Sequence, residues 1–381
     1  MPSILFKTVE PLHFGSYGEF SPTARGPAAL GRVSSTPLPS TILGVLTLLI
    51  RGKYIQKGGT LGDNYVELKK SIGIEDLYIR GPYFTVGEEV YITIDNIVIN
   101  LGRLDHSCNV FRYIANCIAN ISPKFEYLEN KYPIDYSKCG MKIIRFLGIG
   151  LNRDVKVPDE DRGLLYLEEY VDYDASMKCV DLSICVDITC GSADRDSEIL
   201  ERFKKTIEER RIVRLGGESR IALLEITESS RFLDLCSKYI EEDDYYLAIN
   251  ITPIILDIHT NNYYISIEDL SKLLFKDRNI LIACIGKFGK EVLSVTSLGF
   301  NEVCKCRRPL KYSIPPGTLM ILNGRKISTQ YLQELCYKGI DSGAYCDGVE
   351  CNKIGYNTVI ILPLKRLPND IRNALYKIIN L

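Results

Sequence analysis

The sequence has no tryptophan, only three histidines and almost no net charge. Its 47 lysine and arginine residues balance 48 aspartate and glutamate residues, which gives a formal charge of −1. The global electrostatic field is therefore too weak to attract a polyanion, and any contact with nucleic acid must come from a local basic region. The missing tryptophan and the many Ile, Tyr, Lys and Glu residues are typical of a thermophile.

Long apolar segments are also missing. The longest apolar run, residues 42–50, is far shorter than the roughly 20 residues of a membrane span. The N-terminal region does not combine a basic stretch, an apolar run and a small-residue cleavage site. We therefore expect a soluble, cytoplasmic protein without membrane contact. Its 381 residues, 46% of them hydrophobic, predict about two packed domains.

The thirteen cysteines form no C-x-x-C pair. Most of them, such as Cys185, lie in apolar strand-like runs and are predicted to be small core residues in a reducing compartment. The C-terminal cysteines with the shortest spacings are Cys304, Cys306, Cys346 and Cys351. A disulfide between two of them is favoured over a zinc site, and the sequence predicts no metal.

Catalytic patterns are sparse. His13, His106 and His259 are far apart, and none lies in a nucleophile or metal motif. His13 follows the first predicted strand, where a nuclease could use it as a general base; a structural or surface histidine is the alternative. The sequence thus predicts no catalytic residue and no cofactor.

The first half alternates short strands with one clear helix. Residues 3–10 predict a strand, a loop follows at 11–38, and 39–51 have helical apolar spacing with Ser40 or Thr41 as a cap. A loop this long is usually functional or disordered. Further strands are predicted at 83–84, 90–101, 139–149, 164–173 and 178–189, with the first two and the last two paired as hairpins.

The second half repeats the order loosely. A helix is predicted at residues 196–211, and a short helix after Pro368. Strands are predicted at 220–227, 246–257, 279–285, 291–295, 318–322 and 357–362. The expected fold is α+β, with two ferredoxin-like (RRM-like) domains that carry inserted loops and hairpins, over residues 1–190 and 191–381.

Three basic clusters, the first two of which contain glycine, are candidate RNA-binding sites. The first lies around the start of the predicted helix and comprises Arg25, Gly31, Arg32, Ser40 and Thr41. Its glycines allow close approach to a phosphate, and the helix N-terminus would point toward that anion. The alternative is a glycine-rich linker into a helix that begins with proline.

The second cluster comprises Arg214, Gly216, Gly217 and Arg220. Paired glycines between arginines suit close contact with a phosphate or with another backbone, and a tight turn with solvated arginines is the alternative. The third cluster comprises Arg307, Arg308 and Lys311. Phe300 or Tyr312 beside it could stack on a splayed base, although a basic run can also be a solvated face.

Four segments resemble, in order, the third subunit of type III-B CRISPR (Cmr) effector complexes, which belongs to the repeat-associated mysterious proteins (RAMPs). These segments are EPLHFG at residues 10–15, PLPSTILG at 37–44, RLGGESR at 214–220 and PPGT at 315–318. The stretch 148–165 also resembles the turn into a hairpin in that family. The chain departs from the family near its C-terminus, where the glycine-rich loop is reduced to Gly355.

The resemblance implies two ferredoxin-like domains and a subunit that grips the 5′ repeat-derived tag of the CRISPR RNA. It also implies docking against the large polymerase-cyclase subunit and the backbone subunits, with indirect contact to target RNA and no nuclease activity in this chain. Two alternatives are a repeat-cleaving endoribonuclease that uses His13 with a nearby Lys or Tyr, and a scaffold that contacts only proteins.

Overall fold

The structure is a computed structural model of the chain. It describes residues 2–15, 30–31, 33–52, 59–103, 108–149, 165–174, 182–190, 196–217, 220–258, 265–301 and 303–380. Helices and strands are interspersed along the whole chain, so the predicted α+β class is confirmed.

The strands are β1 (Ser3–Thr8), β2 (Leu30–Gly31), β3 (Tyr78–Val86), β4 (Glu89–Ile94), β5 (Ile97–Asn100), β6 (Lys142–Ile149), β7 (Leu165–Asp172), β8 (Ser183–Thr189), β9 (Ile212–Arg214), β10 (Ile221–Thr227), β11 (Tyr245–Asn250), β12 (Ile254–Leu256), β13 (Leu281–Ile285), β14 (Ser294–Ser297), β15 (Phe300–Asn301), β16 (Cys306–Arg307), β17 (Leu310–Ile314), β18 (Leu319–Asn323), β19 (Tyr345–Cys346), β20 (Val349–Glu350) and β21 (Val359–Pro363). The α-helices are α1 (Pro39–Arg51), α2 (Leu61–Ile72), α3 (Val110–Ala119), α4 (Tyr127–Lys131), α5 (Tyr136–Cys139), α6 (Asp196–Glu209), α7 (Arg231–Tyr239), α8 (Ile267–Phe275), α9 (Thr329–Lys338) and α10 (Asn369–Ile379).

The first unit is built on a sheet that has seven strands among the described residues, in the order β5-β4-β3-β8-β1-β10-β9. Its central elements follow one another as β1, α1, β3, β8, α6 and β10, which is the β-α-β-β-α-β order of a ferredoxin-like fold. The prediction ended this unit at residue 190, whereas residues 222–227 of β10 pair with β1 in the same sheet. The division into two domains itself stays a prediction.

A long insertion separates β3 from β8 and contains β4 to β7 with α3, α4 and α5. In it, β6 and β7 pair along eight residues, and β2 pairs with β7 in parallel. The predicted hairpin between residues 164–173 and 178–189 is therefore wrong. β7 belongs to the small sheet with β6 and β2, while β8 lies between β1 and β3 because its fully buried side chains fit the centre of the large sheet.

The second unit has a sheet in the order β13-β18-β11-β21, in which all neighbouring strands are antiparallel. Helices α8 and α9 connect these strands in the same β-α-β-β-α-β order. Between β13 and β18 the chain extends into a long hairpin, which we call the arm and define as residues 294–314. The arm thus occupies the same topological position as the insertion of the first unit.

Helix α1 begins at the predicted residue, Pro39, but not because a side chain caps it. Pro39 lies in its first turn, where the missing N–H costs nothing, and the capping residue is Leu38, which makes no side-chain cap. The predicted cap by Ser40 or Thr41 is therefore wrong, since both residues lie inside the helix. Gly52 ends the helix with φ of 76° and donates its N–H to the carbonyl of Leu48.

The two units share a polar joint. Arg80 on β3 and Asp187 on β8 lie opposite each other, and both are fully buried. Asp187 accepts hydrogen bonds from Ser3 at 2.5 Å, from Tyr83 at 2.6 Å and from Ser230, which also caps α7 in the second unit. Burial raises the pKa of the Asp187 carboxyl. Arg80 donates to the carbonyl of Asn352, so this strand pair contacts the second unit at two points.

Three disulfides lie within the described residues. Cys304 bonds to Cys306 and Cys346 to Cys351, which agrees with the prediction of a disulfide among the C-terminal cysteines, although the sequence did not predict which of them pair. The sequence did not predict the third disulfide, between Cys108 before α3 and Cys139 at the end of α5. In the described part of the chain, no helix is long and apolar enough to cross a membrane.

Candidate nucleic-acid interface

The glycine pair of the second predicted cluster closes onto the chain after β1. Gly217 donates its N–H to the carbonyl oxygen of His13 at 2.8 Å. Gly216 has φ of +86°, and a Cβ atom there would lie 2.4 Å from the same oxygen. The positive φ of Gly216 and its close approach to this oxygen both require glycine. The turn therefore packs against residues 13–14 and is not a solvated loop.

Arg220 leaves this turn and forms an ion pair. Its guanidinium donates to the carboxylate of Glu10 at 2.6 Å and lies 4.5 Å from the centre of the Tyr170 ring. The other Glu10 oxygen accepts the N–H of Ile221 at 2.8 Å. The hydrogen bond from Arg220 and the one from this N–H lower the pKa of Glu10. Arg220 is therefore part of the scaffold, and contact with RNA would have to share it with Glu10.

The ring of His13 lies against β7. Its Nδ1 is 2.8 Å from the carbonyl oxygen of Glu169, and its ring meets the edge of Tyr170 at 5.6 Å. Tyr170 is buried and donates to Glu168 at 2.7 Å, and burial followed by this hydrogen bond raises the pKa of Tyr170 to about 12. We call this set the His13 cluster, with the members Glu10, His13, Tyr170, Gly216, Gly217 and Arg220.

Strand β7 also brings part of the first predicted cluster close to the His13 cluster. Gly31 on β2 pairs with Glu168, the neighbour of Glu169 on β7. The N–H of Val33 lies 3.4 Å from the Glu169 carboxylate, and Val33 bridges to Gly15. Arg25 and Arg32 lie outside the described residues. The structure therefore brings Gly31 of the first cluster together with the Gly216–Gly217 turn of the second.

Two exposed residues beside the His13 cluster were missed by the sequence analysis. On β6, Phe146 is half exposed and meets the Tyr170 ring edge-on at 5.2 Å. Its neighbour Arg145 is exposed and pairs with Glu169 at 3.0 Å. An aromatic and a cation at the surface suit stacking and phosphate contact. Arg145 and Phe146 lie near the His13 cluster only because β6 pairs with β7. In the sequence they could be recognised only as a polar and an aromatic residue within a predicted strand.

The other predicted residues near the start of α1 lie elsewhere. Ser40 is 7% exposed, and its hydroxyl accepts from Tyr356 at 3.4 Å. A Cβ at Gly299 would lie 3.1 Å from the same hydroxyl oxygen. The start of α1 is thus packed against the second unit. Thr41 is half-buried on the same turn.

The third predicted cluster lies on the arm and divides into two parts. Arg308 is buried, forms an ion pair with Asp347 and donates to the carbonyl of Gly59 at 2.7 Å. Contact of Arg308 with RNA would require this ion pair to open. Arg307 is exposed and Lys311 is half-buried, each on a strand of the arm. The arm therefore does not meet the His13 cluster through any contact that we observe among the described residues.

Metal chemistry has no visible basis in this part of the chain. Across the described ranges, no group of three or more His, Cys, Asp or Glu residues is arranged to hold a metal ion. The predictions of no cofactor and no metal stay predictions.

Comparison with known proteins gives a consistent set of relatives. The family model for the CRISPR-associated protein Cas_Cmr3 matches residues 147–364. The CRISPR system CMR subunit Cmr3 of Saccharolobus solfataricus is 25% identical over 370 residues, which cover 95% of this chain and 96% of that protein.

Two solved chains share the fold. A chain of the cryo-EM structure of type III-B Cmr-beta bound to cognate target RNA has a TM-score of 0.54 at 19% identity, with 96% of this chain and 97% of that chain covered. A chain of the Cmr-beta structure bound to cognate target RNA and AMPPnP has a TM-score of 0.51 at 20% identity, with 94% and 95% covered. Because the family model matches more than half of the sequence, and the resemblance of its segments agrees with that match, this chain belongs to the Cas_Cmr3 family of CRISPR-associated proteins.

Proposed function

We propose that this chain is a non-catalytic RNA-binding subunit of a type III-B Cmr effector complex. It holds the 5′ repeat-derived tag of the CRISPR RNA at the His13 cluster. It also joins the large polymerase-cyclase subunit to the backbone subunits, and it contacts target RNA only indirectly. Membership of the Cas_Cmr3 family supports the assignment to the complex, and the Saccharolobus relative is itself a CMR subunit.

One observation carries the RNA site: strand β7 contacts both predicted glycine-containing clusters. Gly31 pairs with Glu168, while His13 links Glu169 to Gly217. Around this joint, Arg145, Phe146 and Arg214 are exposed. Neighbouring residues of a strand point to opposite faces of the sheet, so Arg145 and Phe146 do not share one surface. Phe146, on the face of Tyr170 and Arg220, offers a ring for an unstacked base, and Arg214 offers a cation for a phosphate, which is how single-stranded RNA is commonly bound.

The balance of charge predicts how the chain behaves alone. With a formal charge of −1, long-range attraction to RNA is weak, so affinity depends on a few local contacts. In the assembled complex, partner subunits add their own phosphate contacts and raise the apparent affinity through effective concentration. We therefore expect the isolated chain to bind the tag weakly and the complex to bind it tightly.

The test is binding of tagged and tag-scrambled guide RNA at two salt concentrations, for the isolated chain and for the complex reconstituted with the other subunits. The expected result is a preference for the natural tag that is much larger in the complex. The proposal fails if scrambling the tag leaves the affinity of the complex unchanged. It also fails if the isolated chain prefers duplex RNA over single strands.

A further inference from the structure

The disulfide at the tip of the arm is exposed, unlike the other two disulfides of the described residues. Cys304 and Cys306 are both exposed, and only Lys305 separates them. The cysteines of the other two disulfides are at most 1% exposed. A thiolate displaces a sulfur of a disulfide only where it can reach that sulfur. Of the three, the Cys304–Cys306 disulfide is therefore the one that a thiol can attack from solvent without unfolding of the chain.

The loop that this disulfide closes is also the shortest of the three. A disulfide stabilises a fold largely by restricting the unfolded chain, and this restriction is smallest when the closed loop is short. The bonded cysteines are 2 positions apart in the arm, against 5 and 31 positions in the two buried disulfides. Opening of the Cys304–Cys306 disulfide therefore destabilises the fold less than opening of either buried disulfide.

The residue between the two cysteines has a backbone conformation that its side chain disfavours. Lys305 has φ of +52°, in the left-handed region, which is unfavourable for a residue with a Cβ. It lies in the turn between Asn301 on β15 and Cys306 on β16, which face each other. Opening of the disulfide removes the covalent ring around Lys305 and allows it to adopt other backbone conformations. Exposure, a short loop and this backbone are all properties of a disulfide that is readily reduced.

The turn also has support that does not involve the sulfur atoms. The side-chain oxygen of Asn301 accepts the N–H of Val303 at 2.9 Å and that of Cys304 at 3.3 Å. Asn301 is itself 6% exposed, so water competes little for these hydrogen bonds. The turn can therefore persist when the disulfide opens, and the two thiols stay near each other. We expect the reaction to be reversible for this reason.

The second cysteine of the pair lies two residues before a contact between the arm and the first unit. That contact is made by Arg308, which donates to the carbonyl of Gly59 at 2.7 Å and pairs with Asp347. The Asp347 carboxylate accepts the N–H of Leu61 at 3.2 Å, and its carbonyl accepts the N–H of Gly62 at 3.0 Å. Leu61 and Gly62 are the first two residues of α2. A change at the tip of the arm can therefore reach the start of α2 through Arg308.

We propose that the Cys304–Cys306 disulfide is a redox-active site that exchanges with small-molecule thiols, and that its opening loosens the arm against the first unit. The thiolate of a small thiol attacks one cysteine sulfur, forms a mixed disulfide and releases the other cysteine as a thiolate. A second small thiolate attacks the small-molecule sulfur of the mixed disulfide and releases the remaining cysteine. The protein disulfide gains two electrons, the two small thiols become one small disulfide, and their two protons pass to the cysteines. A small-molecule disulfide carries out the reverse reaction. This inference goes beyond the proposed function and does not depend on it.

The first experiment incubates the folded chain with reduced glutathione, stops the reaction with acid at several times, alkylates the thiols and locates them by mass spectrometry. We expect Cys304 and Cys306 to become alkylated at least about ten times faster than the four cysteines of the buried disulfides, which serve as internal controls. Oxidised glutathione should then restore the Cys304–Cys306 disulfide. Equal rates for the three disulfides, or opening of this one only in denaturant, would overturn the proposal.

The second experiment measures amide hydrogen exchange in the oxidised chain, in the selectively reduced chain and in the double variant Cys304→Ser, Cys306→Ser, whose arm has no disulfide. We expect the N–H groups of Leu61 and Gly62 to exchange several-fold faster in the reduced chain and in the variant than in the oxidised chain. The N–H of Leu12, which donates to the carbonyl of Val171 at 3.0 Å away from the arm, is the control and should not change. Unchanged exchange at Leu61 and Gly62, or an equal increase at Leu12, would overturn the proposed loosening of the arm.

Discussion

Gly216 lies so close to His13 that a Cβ atom on the glycine would be 2.4 Å from the histidine carbonyl oxygen. The atom that such a Cβ would meet belongs to the backbone, so no flexible side chain can move away to make room for it. The RNA site that we propose therefore depends on a backbone approach between a loop after β1 and a turn before β10.

Replacement of Gly216 by alanine is expected to destabilise the protein and weaken binding of tagged RNA. The left-handed backbone alone costs about 1–2 kcal/mol for a residue with a Cβ, and the clash adds to it. Gly87→Ala is the matched control, because Gly87 also has positive φ, +58°, but has open space around it. Thermal unfolding and RNA binding of the two variants measure the cost of the close approach. Equal effects of both substitutions would contradict it.

Arg214→Ala and Arg220→Ala are expected to have different effects. Arg214 is exposed, so its removal should lower RNA affinity and reduce the dependence of log K on log salt by about 0.7, the contribution of one phosphate of a single strand. Arg220 pairs with Glu10, so its removal should mainly lower the free energy of unfolding, by roughly 1 kcal/mol. Titration of RNA at several salt concentrations, with urea unfolding alongside, separates the two roles. An unchanged salt slope for Arg214→Ala would remove that residue from the interface.

Asp187→Asn is expected to change the pH dependence of stability. Because burial raises the pKa of Asp187, the folded carboxyl takes up a proton at higher pH than the unfolded one. The free energy of unfolding therefore contains a part that increases as pH falls from the raised pKa toward the ordinary value of about 4. The asparagine variant lacks this part, so the stability of the parent relative to the variant should rise as pH falls.

Glu10→Gln provides a control of opposite sign. The pKa of Glu10 is lowered, chiefly by its hydrogen bond to Arg220, so the stabilisation is present above the ordinary glutamate range. This stabilisation is lost as pH falls through the lowered pKa of Glu10. The difference in the free energy of unfolding between the parent and Glu10→Gln should therefore decrease as pH falls. Urea unfolding at several pH values measures both differences. If the stability difference between parent and variant changed with pH in the same direction for Asp187→Asn and Glu10→Gln, the opposite pKa shifts of the two carboxyl groups would be contradicted.

Arg308→Ala is expected to lower the free energy of unfolding by about 1–3 kcal/mol, since it leaves the half-buried Asp347 carboxylate and the Gly59 carbonyl without their donor. Arg307→Ala, at the exposed neighbouring position, should change it by only about 0.5 kcal/mol. Chemical unfolding of the two variants is the measurement. If Arg308→Ala weakened RNA binding without loss of stability, Arg308 would contact RNA instead of holding the arm.

The chain is expected to leave repeat RNA intact in the presence of divalent metal. Among the described residues, His13 has its Nδ1 beside a backbone carbonyl, and we observe no carboxylate hydrogen-bonded to it that could orient it as a base. Incubation of labelled repeat RNA with the parent and with His13→Ala, followed by gel analysis, tests this. Specific cleavage by the parent that His13→Ala abolishes would favour the endoribonuclease alternative.

Much of the secondary structure could be predicted because it depends on local rules. Helix α1 has the predicted bounds, since a proline start and a glycine end are both visible in the sequence. Strands β1, β7 and β10 lie within about two residues of their predicted ranges. Helices α2 to α5 and α7 to α9 were not predicted. The apolar residues of α3 do recur with helical spacing, so its periodic pattern was present in the sequence.

The sequence by itself determined the α+β class, the family resemblance and the three basic clusters, because composition and short motifs do not depend on long-range pairing. Only the tertiary structure decided how those residues are used. Arg220 and Arg308 resemble each other as basic residues next to a turn, yet both are held by carboxylates distant in sequence, Glu10 and Asp347. The pairing of β7 with β2 and β6, rather than with β8, brings Gly31 and Phe146 toward His13. Such choices depend on which strands bury their side chains against each other, and a local pattern carries no record of the partner strand.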